Sequence, residues 1–191
     1  GSPVFKDFVP TVDATVVSNL KTAGAVILGK LNMTEFATSG LSHQFDPPRN
    51  PWDLERSTGG SSSGSGAATA GFLCAVALGE DTGGSVRFPA SWCGLAGIRP
   101  TWGRVSRYGV MAISYSMDKA GPMCRSVEDC ALVFNAILGP DDRDPALVDL
   151  PFNWDPDRDV TPLRVGYIAS AFEEDRASAR AKSNGQATLQ T

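Results

Sequence analysis

Residues 59–100 read GGSSSGSGAATAGFLCAVALGEDTGGSVRFPASWCGLAGIRP, and this stretch decides how the rest of the chain is interpreted. It contains two glycine- and serine-rich segments, the GGSSS loop (residues 59–66) and the DTGGS loop (residues 81–85), separated by small residues. Because glycine has no Cβ, such loops can turn several backbone N–H groups toward one point and bind an anion there. A serine in such a loop can also act as a nucleophile, since the N–H groups stabilise the oxyanion formed by its attack.

Two other interpretations of these loops compete with a reactive site. Glycine- and serine-rich runs are usually linkers or turns, but AVALGEDTGG follows the first loop and is typical of a short buried strand that enters a tight turn. A Walker A phosphate loop is excluded because the G-x-x-x-x-G-K-[ST] lysine is missing, and residues 64–69 end in Thr where G-x-G-x-x-G requires Gly. Residue chemistry alone leaves a serine-type site and an anion-binding loop equally favoured.

Composition restricts the class of protein. The 191 residues are 42% hydrophobic and 20% charged, as in ordinary globular proteins. The net charge of −4 and the lack of any Lys/Arg cluster argue against nucleic acid as a direct partner. No apolar run has the length of a membrane span and no signal peptide is visible, so we expect a cytoplasmic protein without a membrane partner.

The cysteine pattern gives no metal-site signal. The four cysteines lack C-x-x-C spacing and the single histidine, His43, is far from all of them in the sequence. We therefore expect no metal and no cofactor, and four buried, reduced thiols: Cys74, Cys93, Cys124 and Cys130.

A predicted helix followed by a buried strand indicates an α/β fold. Residues 32–36 are predicted as a short helix or turn with capping-box spacing, and residues 39–58 as loop. The predicted helices cover residues 13–23, 64–72 and 126–138, with a helical turn over 86–92 broken by Pro89. Strands are predicted over residues 25–29, 75–78, 97–99 and 163–168.

The double motif GGSSSGSGAA and GEDTGGSVRFPASWCGLAGIRPTWGRVSRYG resembles the amidase signature family of serine hydrolases. The resemblance continues upstream in DATVVSNLKTAGAVILGKLNMTEFA and downstream in SMDKAGPMCRSVEDCALVFNAILG. It covers residues 2–140, and residues 163–168 more weakly. It implies part of the amidase signature fold, an α/β fold with a mixed β-sheet flanked by helices, in one incomplete domain over residues 1–191.

The resemblance also implies roles for residues in both loops. Ser85 corresponds to the nucleophile that is acylated, and Ser61 to the serine that passes the nucleophile's proton to a neutral lysine. The N–H groups of Thr82, Gly83, Gly84 and Ser85 would form the oxyanion hole.

Four further residues have supporting roles by the same resemblance. Gly60–Ser61 is expected to be a cis peptide bond. Asp81 and Arg87 would hold the shape of the DTGGS loop through hydrogen bonds and charge, and Ser62 would help form the GGSSS loop.

The resemblance places the catalytic lysine in a V-K-D/E motif upstream of residue 1. Lys30 corresponds to a lysine of the family that is not the base, and Lys6 falls at a variable position. We therefore expect an internal fragment of a longer amidase, with little or no activity by itself because serine needs a positioned base.

The leading functional hypothesis is hydrolysis of a small-molecule amide through an acyl-serine intermediate. One alternative is the glutaminase subunit of a tRNA-dependent amidotransferase, and another is a non-catalytic fragment that binds small carbonyl or anionic ligands. Unpaired sheet edges in an incomplete domain favour association, so a homo-oligomer is also considered.

Overall fold

The computed structural model describes residues 2–38, 45–170 and 179–190. Contacts between residues divide the chain into two compact units, residues 1–154 and residues 155–191. Both glycine-rich loops belong to the first unit. Within the described ranges, no helix has the length and apolar character needed to cross a membrane.

The first unit contains four α-helices and five strands, and the second unit contains one helix, counted over the described residues. Short 3₁₀ helices cover Pro3–Phe5 and Glu35–Ala37. The other elements are α1 (Thr15–Thr22), β1 (Arg49–Asn50), β2 (Asp53–Ser57), α2 (Ser63–Ala70), β3 (Val76–Glu80), α3 (Arg87–Cys93), β4 (Ala96–Gly97), β5 (Ala120–Cys124), α4 (Val127–Ile137) and, in the second unit, α5 (Ala179–Leu189).

An antiparallel sheet with the strand order β3–β5–β4 lies at the centre of the first unit. The central strand β5 is buried along its whole length, and β3 pairs with it from Val76 opposite Cys124 to Glu80 opposite Ala120. Two apolar clusters cover the sheet. The cluster on α1 and α4 includes Val16, Leu20, Phe134 and Ile137, and the cluster on α3 includes Val86 and Ala90, which pack with Met123 of β5. The α/β class with flanking helices is confirmed.

The three long predicted helices are present, and of these α4 has a capping side chain. Ser126 caps α4, its hydroxyl accepting the Asp129 N–H at 3.0 Å, and Gly139 follows the helix end with a φ of 105°. Helix α1 has no capping side chain. Ala14 occupies the cap position, and Asp13, the first residue of the predicted helix, pairs with Lys21 at 2.6 Å.

Two of the predicted strands are wrong. Residues 25–29 and 163–168 have no strand partner among the residues that the structure describes, and their apolar side chains are exposed, with Val26 at 82% and Val165 at 89%. A buried-strand pattern describes only the side chains, whereas a strand also requires a neighbour for its backbone hydrogen bonds.

Strand β5 was not predicted, because Gly121 and Pro122 disfavour the interior of a sheet. Pro122 is accommodated there through its carbonyl, which accepts the Ile98 N–H at 3.1 Å. The predicted break at Pro89 is also wrong. Pro89 is the third residue of α3, where a backbone N–H has no partner within the helix, so proline removes no hydrogen bond.

The segment predicted as loop before the GGSSS loop contains a β-hairpin of β1 and β2. Residues 39–44, which include His43, lie outside the described residues. Trp52 sits in the hairpin turn and its indole N–H donates to the Cys93 carbonyl at 2.7 Å, so the hairpin is attached to the end of α3. The capping box at residues 32–35 is not formed, because Thr34 occupies the cap position of the 3₁₀ helix Glu35–Ala37. The Asn32 amide donates to the Asp46 carbonyl at 2.9 Å.

The packing of α4 generates a stability prediction. Ile137 is fully buried, whereas Leu132 on the same helix is 62% exposed. Ile137→Ala should lower the free energy of unfolding by about 2–5 kcal/mol, because it removes buried apolar area and leaves a cavity. Leu132→Ala is the matched control and should cost less than about 1 kcal/mol. Urea unfolding of both variants measures the difference, and equal losses would contradict the described core.

Candidate active site

The GGSSS loop places Ser61 in the interior of the unit. The Gly60–Ser61 peptide bond is cis, as predicted, and Ser61 is fully buried. The Ser61 carbonyl accepts the N–H groups of Thr34 at 3.2 Å and Ser63 at 2.9 Å. Within the described part of the chain, the buried hydroxyls of Ser61 and Thr34 have no hydrogen-bond partner. The loop therefore presents two neighbouring residues whose hydroxyls are available for a further polar group.

Small residues let α2 pack tightly behind this loop, as predicted. A Cβ added at Gly64 would lie 2.5 Å from the Asn32 carbonyl oxygen, so no larger residue fits there without movement. Serine hydroxyls of the same helix region bind the sheet. Ser65 donates to the Leu78 carbonyl at 2.8 Å, and the Ser62 hydroxyl accepts the Glu80 N–H at 3.1 Å.

The two loops meet directly. The Ser62 N–H donates to the Ser85 carbonyl at 3.3 Å, so the residue next to Ser61 is joined to Ser85 by a backbone hydrogen bond. Ser85 is half-buried and lies just before α3, so it combines a fixed backbone with access to solvent.

The Asp81 carboxylate organises the DTGGS loop from the inside. It is fully buried and accepts the N–H groups of Gly84 at 2.6 Å, Val86 at 3.1 Å and Arg87 at 3.3 Å. Two guanidinium groups neutralise it, with Arg87 Nε at 3.1 Å and Arg99 Nε at 3.2 Å. Burial alone would raise the pKa of Asp81, but the Arg87 side chain and the three N–H donors outweigh it and lower the pKa.

This network decides which N–H groups of the loop remain available. The Gly84 N–H donates to Asp81, so it is engaged rather than free to bind a ligand. The N–H groups of Thr82, Gly83 and Ser85 make no hydrogen bond within the described residues. Gly84 has another role: its φ is 138°, and an added Cβ would lie 2.3 Å from the Phe88 ring, so only glycine fits.

Glu80, at the end of β3, is a titratable group that the sequence interpretation missed. Its carboxylate oxygen Oε1 is buried without a hydrogen-bond partner among the described residues. Burial, and secondly the charge of Asp118, raise the pKa of Glu80 to about 7.

Other residues of the site also had no signal in the sequence. Arg99, Asp118 and Lys119 reach the DTGGS loop from residues after it, and Thr34 reaches Ser61 from residues before it. Lys119 is almost fully buried and its ammonium donates to the Met117 carbonyl at 2.5 Å. Burial, together with the positive charge of Arg99, lowers the pKa of Lys119.

The remaining candidate bases do not join this cluster. Lys6 and Lys30 are exposed, and His43 lies outside the described residues. In the described ranges, no group of three or more His, Cys, Asp or Glu side chains is arranged to hold a metal ion. All four cysteines are free thiols, with Cys74 half-buried and the others buried.

Comparison with known proteins assigns the family. The profile of the amidase family matches residues 1–191. The chain therefore belongs to the amidase family. It is 46% identical over 175 residues to the A subunit of glutamyl-tRNA(Gln) amidotransferase from Saccharolobus solfataricus, in a match that covers 90% of this chain and 37% of that protein. It is 49% identical over 176 residues to the corresponding protein from Thermus thermophilus, with coverage of 90% and 37%.

Solved structures support the same family assignment. The crystal structure of the glutamyl-tRNA(Gln) amidotransferase A subunit from Thermotoga maritima superposes with a TM-score of 0.75 at 47% identity, over 78% of this chain and 34% of that one. Native peptide amidase from Stenotrophomonas maltophilia gives a TM-score of 0.67 at 44% identity, over 74% and 31%. The chain thus spans about a third of the length of these relatives.

Glu80 generates a prediction on pH. The fold raises the pKa of Glu80 from 4.5 to about 7. Between these two pH values Glu80 is protonated in the folded chain and ionised in the unfolded chain. The free energy of unfolding therefore falls as the pH rises through this window. Glu80→Gln should remove this loss of stability, which we expect to total about 1–2 kcal/mol across the window because the side chain is partly screened by solvent. Urea unfolding from pH 4.5 to 8 measures it.

The control for this experiment is Glu55→Gln, which changes an exposed glutamate of β2. It should leave the pH dependence of unfolding as in the parent chain. A Glu80→Gln variant that keeps the full slope would contradict the raised pKa.

Proposed function

We propose that this chain carries the nucleophile of an amide-bond hydrolase, and that the reaction passes through an acyl-enzyme on Ser85. The observation that carries the proposal is the Ser62 N–H to Ser85 carbonyl bond at 3.3 Å, which brings the two serine loops together beside a set of free N–H groups. Family membership and the half-buried position of Ser85 support the same assignment.

In the proposed reaction the Ser85 hydroxyl oxygen attacks the amide carbonyl carbon while its proton passes to Ser61. The negative charge that develops on the carbonyl oxygen is stabilised by backbone N–H groups. We restrict this oxyanion hole to Thr82, Gly83 and Ser85, since the Gly84 N–H is engaged by Asp81. The amine then leaves with a proton, and water hydrolyses the Ser85 ester.

We place the general base, a lysine, outside residues 1–191 in the whole protein. Two observations support this placement. The Ser61 hydroxyl is buried and has no partner in the described residues, as expected for a group that exchanges a proton with an absent residue. Among the described lysines, Lys119 donates to the Met117 carbonyl, Lys6 and Lys30 are exposed, and none forms a hydrogen bond with the Ser61 hydroxyl.

A second candidate function is release of ammonia from glutamine within an amidotransferase. It is favoured by the relatives at 46–49% identity, which are A subunits of glutamyl-tRNA(Gln) amidotransferase. On this alternative the substrate is the side-chain amide of glutamine, and the whole protein works with partner proteins. The chemistry at Ser85 is the same in both candidates, and only the leaving group and the fate of the ammonia differ.

The nucleophile is tested with a serine-directed fluorophosphonate on the full-length protein that contains this chain. Ser85→Ala should abolish covalent labelling, because it removes the attacking oxygen. Ser63→Ala, in the other loop, is the control and should retain most of it. Equal effects of the two substitutions, or labelling that persists in Ser85→Ala, would contradict the assignment of the nucleophile to Ser85. A parent protein that is not labelled at all would favour a non-catalytic ligand-binding role.

The two candidate substrates are separated by an ammonia-release assay. Simple primary amides and glutamine are supplied to the full-length protein under the same conditions. Turnover of simple amides without partner proteins supports the hydrolase. Release of ammonia from glutamine but not from the simple amides supports the amidotransferase function. Ser85→Ala should remove either activity, with a loss of at least about a thousandfold.

A further inference from the structure

The Asp118 carboxylate binds the DTGGS loop at Thr82. It is 3% exposed. One carboxylate oxygen accepts the Thr82 hydroxyl at 2.5 Å, and the other accepts the N–H groups of Ile113 at 2.7 Å and Ser114 at 2.9 Å. The Asp118 N–H in turn donates to the Ser114 carbonyl at 3.0 Å. Asp118 therefore joins Thr82 to a closed turn over residues 113–118.

Thr82 is held at two of its polar groups by charged side chains. Asp118 fixes its hydroxyl, and the Arg99 guanidinium donates to its carbonyl at 3.3 Å. The neighbouring residue Asp81 is tied to the start of β5 by its N–H, which donates to the Lys119 carbonyl at 2.7 Å. With the side chain, the carbonyl and the preceding residue fixed, the direction of the Thr82 N–H is set by these contacts.

We propose that Asp118 is a positioning residue for the oxyanion hole, which it serves by holding Thr82 so that the N–H groups of Thr82 and Gly83 point at the reacting carbonyl oxygen. The inference rests on the proposed function. Oxyanion donors act at full strength only when they are preorganised, and a small displacement of a reacting group is costly in rate. The Asp118 carboxylate forms no hydrogen bond with Ser85, and its hydrogen-bonded contact with the DTGGS loop is the Thr82 hydroxyl.

Asp144 provides a structural comparison within the same chain. It is also a buried aspartate, 8% exposed, and it accepts the Arg107 guanidinium at 2.7 Å and the Arg107 and Ala146 N–H groups. Like Asp118 it binds backbone N–H groups, but its partners lie outside both serine loops. Its partner Arg107 donates to the Tyr115 carbonyl in the turn over residues 113–118, but neither residue bonds the DTGGS loop. Loss of the Asp144 charge therefore reports what a buried aspartate contributes without a direct contact to that loop.

The test measures the rate of phosphonylation of Ser85 in the full-length protein at a series of fluorophosphonate concentrations. The series gives the limiting rate and the half-saturating concentration of the reagent. In Asp118→Asn the charged acceptor of the Thr82 hydroxyl is replaced by a neutral amide, so the charge-assisted hydrogen bond is lost. In Thr82→Val the hydroxyl itself is lost. Each substitution should lower the limiting rate by about 10- to 100-fold, less than the ~10²–10³-fold loss of a whole oxyanion donor. The half-saturating concentration should stay within about twofold.

The double variant and the control decide the mechanism. Asp118→Asn combined with Thr82→Val should be no slower than the slower single variant, because both remove one interaction. Asp144→Asn should keep the limiting rate even if it lowers the unfolding midpoint. Additive losses in the double variant, or an equal rate loss in Asp144→Asn, would overturn the positioning role.

The two levels of inference fail in different ways. A wild-type protein that does not react with the fluorophosphonate overturns the proposed function, and the positioning role with it. A reactive wild type with an unchanged limiting rate in Asp118→Asn overturns the positioning role alone. A rise in the half-saturating concentration without a change in the limiting rate would make Asp118 a substrate-binding residue instead, which also contradicts the proposal.

Discussion

The buried Asp81 carboxylate is the interaction on which the site depends. A carboxylate without water is stable only when it is paired and hydrogen-bonded, and Asp81 meets this condition through three backbone N–H groups and two guanidinium groups. Those N–H groups belong to the loop and the start of α3, so satisfying the charge bends the chain around it. The same contact consumes the Gly84 N–H. The loop therefore uses some of its N–H groups to build itself and leaves those of Thr82, Gly83 and Ser85 without a hydrogen bond among the described residues.

Close backbone approach is the second constraint, and it follows from the small residues of α2. Because Gly64 fits against the Asn32 backbone, the GGSSS loop can lie within hydrogen-bond distance of both β3 and the DTGGS loop. Ser62 uses its hydroxyl for Glu80 and its N–H for Ser85. Ser62 thus ties backbones together, whereas the hydroxyl of the adjacent Ser61 remains without a partner in the described residues.

The sequence predicts the parts of this arrangement that have local causes. Ser126 and Gly139 bound α4, and the glycine-serine motifs bound the two loops, so these features could be read from neighbouring residues. Strand pairing has no such local cause. The apolar run at residues 25–29 is as strand-like as β3, yet only β3 has a neighbour in the described structure. Strand β5 presents the reverse case, since Gly121 and Pro122 oppose a strand and burial in the middle of the sheet overrides them.

The missed site residues have the same explanation. Arg99, Asp118 and Lys119 carry no motif of their own, and the latter two reach the DTGGS loop because β5 runs antiparallel to β3 and brings residues 118–119 beside residues 81–82. A charged side chain in such a position shapes the loop whether or not it takes part in a reaction. The DTGGS loop is thus shaped at Asp81 by Arg87 and Arg99, at the Thr82 hydroxyl by Asp118 and at the Asp81 N–H by the Lys119 backbone. A loop fixed at so many points can stabilise charge on a substrate without rearranging, because its dipoles are already oriented before the charge appears.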